Sequence, residues 1–157
     1  MITILEGVDG TGKSSHAAWL AREQNARIIH AGVPIHSHWF DEYIRPIVDA
    51  EEGENLILDR WHMGEMIWPV IFNRPSIFNR SESFKLCNAM LDELGAKIIL
   101  VYRGIDAIST TLMLRGEQDQ LENVIKAQDM FLDLADRMHN VEIINSDQLG
   151  RDLPDVS

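Results

Sequence analysis

The eight residues Gly7-Val8-Asp9-Gly10-Thr11-Gly12-Lys13-Ser14 constrain this chain more than any other feature. They fit the pattern GxxxxGK[ST] without a mismatch. An apolar run, "ITIL" (2–5), precedes them, and a helical pattern, "KSSHAAWLAREQ" (13–24), follows. Strand, glycine loop and helix together form the context in which this pattern holds a phosphate chain. Gly7, Gly10 and Gly12 let the backbone curl so that successive N–H groups converge, and the helix adds its positive end. Lys13 is expected to reach the β- and γ-phosphates, and Ser14 to place its hydroxyl on Mg²⁺. Thr11 and Ser15 complete the ATP-binding set, and ATP and Mg²⁺ are the expected cofactors. On this reading Lys13 acts on phosphates rather than on folding. The bland alternative is a glycine-rich turn that binds nothing.

Four further apolar runs read as strands: "ARIIHA" (26–31), "NLILD" (55–59), "KIILVY" (97–102) and "VEIIN" (141–145). Most are continuous rather than alternating, which suits parallel strands covered on both faces. Helical patterns lie between them at 13–24, 38–50, 81–95 and 120–139. Pro46 should kink or break the second, Ser81 should cap the third, and Gly95 should end it. In the fourth, only Gln128 interrupts the apolar stripe. Alternating strands and helices in 157 residues predict one domain, a three-layer α/β sandwich around a five-stranded parallel sheet. The polar last residues, 150–157, are expected to fray.

A formal net charge of −11 disfavours a long nucleic acid partner, because such binding needs a surplus of surface cations. A small phosphate ligand needs only a few local cations and N–H groups. No apolar run is long enough to span a bilayer. The first residues enter a strand with no basic segment before it, so no secretory leader is expected. The one cysteine, Cys87, reads as a core residue, and its lack of an internal partner fits a cytoplasmic location. No guanine-reading Asn-Lys-x-Asp occurs, and the chain is short for a multidomain ATPase. Small-molecule kinases remain.

Magnesium needs a second anchor, and Asp59, closing "NLILD", is placed for it; a helix N-cap is the alternative reading. Arg60 follows directly. Taken with Glu6 and Asp9, these residues resemble the thymidylate kinase family. That family carries Glu-Gly-x-Asp-Gly-x-Gly-Lys-Ser/Thr, matched by residues 6–14, and then Asp-Arg-Tyr-x-x-Ser-x-x-Ala-Tyr-Gln. The second stretch here is Asp59-Arg60-Trp61-His62-Met63-Gly64-Glu65-Met66-Ile67-Trp68-Pro69. Asp and Arg are kept, both aromatics are Trp, and Ser and Gln are absent. The family's Arg-Glu-Pro segment after the second strand is replaced by "HAGVP" (30–34). The compact length resembles that of bacteriophage members.

The resemblance implies ATP-dependent phosphorylation of a deoxynucleoside monophosphate, with thymidylate as the type substrate. It implies that Asp9 contacts the sugar, that Arg60 clamps the acceptor phosphate, and that Trp68 packs where a ribose 2′-hydroxyl would sit. Arg115 precedes a shortened lid at 115–122 and is placed to meet the transferring phosphoryl group. A helix C-terminal cation is its alternative. Lys13, Arg60 and Arg115 thus form the expected catalytic set, and Ser14 and Asp59 the expected metal set. Arg103, closing the fourth strand, is a further candidate. Trp61, Glu65 and Trp68 share a face if 61–68 is one helix, either as acceptor-pocket walls or as core. His30, His36, His38 and His62 lack metal-site spacing and read as surface or acceptor-rim residues. Two rivals stay open. One is a nucleoside kinase with Glu6, Asp9 or Glu65 as base. The other is a non-catalytic ATP-binding module. A homodimer is compatible with either.

Overall fold

The computed structural model describes residues 1–149; the expected fraying at 150–157 lies outside the described residues. Five strands form one parallel sheet in the order β2-β3-β1-β4-β5. They are β1 (Ile2–Glu6), β2 (Arg27–His30), β3 (Leu56–Asp59), β4 (Ala96–Tyr102) and β5 (Val141–Asn145). Register pairs Leu5 with Asp59 and His30 with Asp59, so the carboxyl ends of β1, β2 and β3 lie together. The chain leaves β1 toward β3 and β2, then crosses back to β4 on the other side. The loop after β1 therefore opens into the crevice where strand order reverses, the usual ligand position in such sheets.

The continuous apolar strands are explained by cover on both faces. Leu5, Ile57, Ile99 and Val101 pack with Ala17 and Leu20 of α1 (Lys13–Gln24). Ile4, Leu58, Ile98 and Leu100 pack on the opposite side with residues of α4 (Ser81–Glu93) and α6 (Leu121–Asp136), including Leu91, Ala127 and Phe131. Cys87 lies in this second layer, fully buried, with its thiol pushed up to about 12 by burial. No helix among the described residues is long and apolar enough to cross a membrane.

Several local expectations are corrected. Pro46 does not break its helix. A π-turn (Phe40–Ile44) runs into α2 (Arg45–Val48), and Arg45 N–H donates to the Phe40 carbonyl five residues back. Pro46 thereby falls in the first turn of α2, where its missing N–H goes unmissed. Ser81 is not a cap: extended Arg80 holds that position, with no side-chain hydrogen bond. Residues 61–68 are not one helix but a 3₁₀ turn (His62–Met66) followed by α3 (Trp68–Ile71), with Pro69 in its first turn. A helix not anticipated, α5 (Ile105–Leu114), follows β4; its β-branched Ile and Thr residues lower its intrinsic helix propensity. The connection between α5 and α6, where a shortened lid is expected, holds a 3₁₀ turn at Gln118–Gln120. A short α7 (Ser146–Leu149) closes the described chain.

Gln128 breaks the α6 stripe for a reason. It is buried, its Nε2 donates to the Arg103 carbonyl (2.8 Å) and its Oε1 accepts from Arg103 N–H (3.1 Å). The side chain thus satisfies both backbone groups at the exit of β4, where the ladder stops.

Candidate active site

Gly7, Gly10 and Gly12 have φ of 139°, 84° and 78°. A Cβ at Gly7 would run into the carbonyl oxygen of Val101, so only glycine fits this close approach to β4. Thr11 is buried and its hydroxyl donates to the Val8 carbonyl (2.9 Å), tying the loop across its own turn. Ser14 and Ser15 stand exposed on the first turn of α1.

Lys13 is 4 % exposed and its ammonium is paired with Asp59 Oδ1. The other carboxylate oxygen of Asp59 lies 2.7 Å from His30 Nδ1. Asp59 is 3 % exposed, so the pair is a buried one. Lys13 neutralises a buried carboxylate, so its removal alone would leave Asp59 without its cation.

Beside this pair lies Glu6, 1 % exposed. Its Oε1 accepts from Trp61 N–H (3.1 Å) and Met63 N–H (2.9 Å), so it fixes the start of the segment after β3. Burial nevertheless raises its carboxyl from 4.5 to about 7, against the two backbone N–H groups and Lys13. His62 is not a surface or rim residue as expected. It is fully buried, with its ring stacked on Phe84 at 5.4 Å and Nε2 on Asn88 Oδ1 (3.0 Å). Its Nδ1 lies 4.0 Å from Glu6 Oε1 without a hydrogen-bond partner, and burial lowers the imidazole to about 4.

Arg60 has φ +61°, an uncommon conformation for a side-chain-bearing residue, while its N–H donates to the Leu5 carbonyl (2.9 Å). Its guanidinium is half exposed and paired with Asp9 of the phosphate loop. Together they stand at one edge of a cavity of about 490 Å³. Glu6, Gly7, Trp61, Glu65 and Trp68 also line it. Trp61 belongs to both readings: it lines the cavity, yet it is 4 % exposed and its Nε1 donates to the Tyr43 carbonyl (3.1 Å). Trp68 is half-buried, stacked on Phe72 at 5.7 Å and edge-on to Phe131 at 6.3 Å.

Two expected partners are distributed differently. Arg115 is exposed at the end of α5, its N–H on the Thr111 and Leu112 carbonyls, and it is not among the cavity-lining residues. Arg103 instead reaches the backbone of the phosphate loop. Its Nη1 donates to the Gly10 carbonyl (3.2 Å) and Thr111 Oγ1 (3.1 Å), and its Nε to Asp147 Oδ1 (2.9 Å). The Arg103 guanidinium and Gly104 N–H hold the Asp147 carboxyl below its usual range. Sequence reasoning missed Arg74, which lines the cavity and forks onto Glu65. It lies in an aperiodic loop, so no spacing marks it.

The loop's converging glycines and the buried lysine suit a triphosphate. Among the described residues no group of three His, Cys, Asp or Glu side chains converges as a metal cage. A magnesium ion bound by one or two protein oxygens plus phosphate oxygens and water needs no such cage, and Ser14 with Asp59, once Asp59 releases Lys13, would supply those oxygens.

No protein-family model matches the sequence, and no curated protein matches it. Solved structures do. The chain superimposes on YorR from Bacillus subtilis, in complex with phosphorylated GDP, with a TM-score of 0.76, 18% identity, and cover of 97% of this chain and 92% of that one. Thymidylate kinase from Candida albicans gives 0.58 at 13% identity, over 96% and 89%. Deoxyadenosine kinase from M. mycoides with bound dATP gives 0.53 at 13%, over 94% and 92%. At these identities the likeness speaks for architecture, and it does so over nearly the whole chain: the protein has the fold of the P-loop nucleotide kinases.

Proposed function

We propose that the protein transfers the terminal phosphoryl group of ATP to a deoxynucleoside monophosphate of the thymidylate type, giving the diphosphate. The observation that carries this reading is the aromatic-walled cavity opening directly beside the phosphate loop, with the half-exposed Arg60 at its edge. The donor phosphates lie in the loop, against Lys13. The acceptor phosphate replaces Asp9 as the partner of Arg60, whose planar fork suits a pair of phosphate oxygens. Asp9, released from the pair, turns to the sugar. A phosphate acceptor is already a nucleophile, so the residues position and neutralise rather than remove a proton. Bound through Ser14 and Asp59, Mg²⁺ would offset the charge developing on the phosphates. Arg115, beside Gly116 with φ +71°, is the exposed cation of the short lid that closes on the transferring group.

One observation favours a second reading, a nucleoside acceptor. Glu6 lines the cavity and its carboxyl titrates near neutrality, as a general base for a sugar hydroxyl should. An ATP/ADP coupled assay across deoxynucleosides and their monophosphates separates the two. Turnover confined to monophosphates supports the first reading, turnover of nucleosides the second. No transfer to any acceptor would leave an ATP-binding module.

A further inference from the structure

Arg103 stands at the exit of β4, tethered from several sides. Its backbone N–H and carbonyl are both taken by buried Gln128 of α6. Its Nε donates to Asp147 Oδ1 (2.9 Å), while the second oxygen of that carboxylate accepts from Gly104 N–H (3.1 Å). Its Nη1 reaches Thr111 Oγ1 of α5 (3.1 Å) and the Gly10 carbonyl (3.2 Å). The last contact bears on the phosphate loop. No cis peptide occurs among the described residues, so the Gly10 carbonyl and the Thr11 N–H point to opposite sides of one planar unit. A donor that fixes the carbonyl therefore fixes the direction of the N–H. Among the described residues the Gly10 carbonyl accepts from Arg103 alone. The Thr11 N–H donates to no protein group among them, although Thr11 is 1 % exposed and its hydroxyl is spent on Val8. A buried free N–H calls for an acceptor. Gly10 has φ +84° and no side chain to hold its peptide, so the hold comes from outside the loop.

We infer that Arg103 is a positioning residue for the phosphate donor: it holds the Gly10 carbonyl outward and so turns the Thr11 N–H into the phosphate cradle, with Gln128 and Asp147 holding Arg103 for that task. This rests on the donor half of the proposed function, a triphosphate in the loop, and not on the nature of the acceptor. A cation on the carbonyl side also polarises the peptide, which strengthens the hydrogen bond its N–H gives to a phosphate oxygen. Asp147 carries the wrong sign of charge for a neighbour of bound phosphates. Its place is explained by the guanidinium, which its Oδ1 aims while its Oδ2 is anchored on Gly104. Gln128 interrupts the apolar stripe of α6 for the same end, since it fixes the backbone from which the Arg103 side chain leaves.

The test is calorimetric binding of two magnesium-loaded probes, ATP and inorganic tripolyphosphate. The second has neither base nor sugar and reads the loop alone. Two variants are compared with the wild type, each checked for folding by its melt. Arg103→Lys keeps the charge and loses the planar fork. Asp147→Ala keeps the guanidinium and removes an anion. Both should weaken both probes by the same factor, about tenfold, the scale of one hydrogen bond to a charged group. In the coupled assay the loss should fall on the KM for ATP and leave that of the acceptor unchanged. The sign in Asp147→Ala is decisive. If Arg103 bound the phosphates directly, or acted by charge alone, loss of the anion would tighten binding, and tighter binding overturns the inference. A loss confined to ATP overturns it by moving Arg103 to the base or sugar. Unchanged affinity in either folded variant overturns it while the proposed function stands. Failure of the wild type to bind either probe overturns the donor reading and the inference with it.

Discussion

Replacing Glu6 by Gln tests the electrostatics of the site centre without touching a phosphate contact. Glu6 is held neutral by burial: its folded value of about 7 lies above the ordinary 4.5. Between those values the folded protein binds a proton that the unfolded chain does not. Stability from this group is therefore greatest below pH 4.5 and is lost as pH rises to about 7. The interval, at ~1.36 kcal/mol per pH unit, amounts to about 3 kcal/mol. His62 acts in the opposite sense. Its folded value of about 4 lies below 6.5, so its contribution is lost as pH falls from 6.5 toward 4. Across pH 4.5–6.5 the two slopes nearly cancel, and the wild type should show a shallow profile. Gln keeps an oxygen for the Trp61 and Met63 N–H groups but does not titrate. Glu6→Gln should thus expose the His62 slope, and its stability relative to wild type should climb by about 3 kcal/mol between pH 4.5 and 7.5. Urea unfolding at four pH values across that range measures the difference. A difference that is flat with pH, or that grows toward acid, would falsify the neutral-Glu6 account.

Three other outcomes follow from the site. Lys13→Ala should lower apo stability by about 3 kcal/mol, since it unpairs buried Asp59 and leaves only His30, and Lys13→Ala/Asp59→Asn should recover most of it in a thermal melt; turnover should fall about 10²-fold or more in both. Arg60→Ala should weaken acceptor monophosphate binding by about 1.5–3 kcal/mol with ATP affinity kept, by calorimetry; the opposite pattern would move Arg60 to the donor side. Trp68→Ala should collapse a wild-type preference for 2′-deoxy over ribo monophosphates of roughly tenfold to a hundredfold in kcat/KM, the scale of one buried unpaired hydroxyl. A ratio near one in the wild type removes that assignment of Trp68.

The phosphate loop, the five strands and the helices α1, α4 and α6 were legible in the sequence because each depends on neighbours in the chain. Glycines set the loop's backbone, and apolar period sets strand or helix. The same local logic failed where a long-range contact decides. The π-turn before Pro46 carries Tyr43 and Ile44 into the core, a burial that the local period did not announce. At 61–68 Glu6 Oε1 accepts from the Trp61 and Met63 N–H groups, a contact across 55 and 57 residues that no local period announces, and the segment is a 3₁₀ turn followed by α3. Each pair that defines the candidate site joins residues far apart in sequence: Lys13 with Asp59, Asp9 with Arg60, Arg103 with Asp147. The motifs named most of the members; the sheet register decided the pairing, by placing the carboxyl ends of β1 and β3, and those of β4 and β5, side by side. Arg74 carried no signal at all, since nothing within a helical turn or a strand repeat of it explains its charge. Its partner is nine residues away across a loop, and that closure is a property of tertiary packing alone.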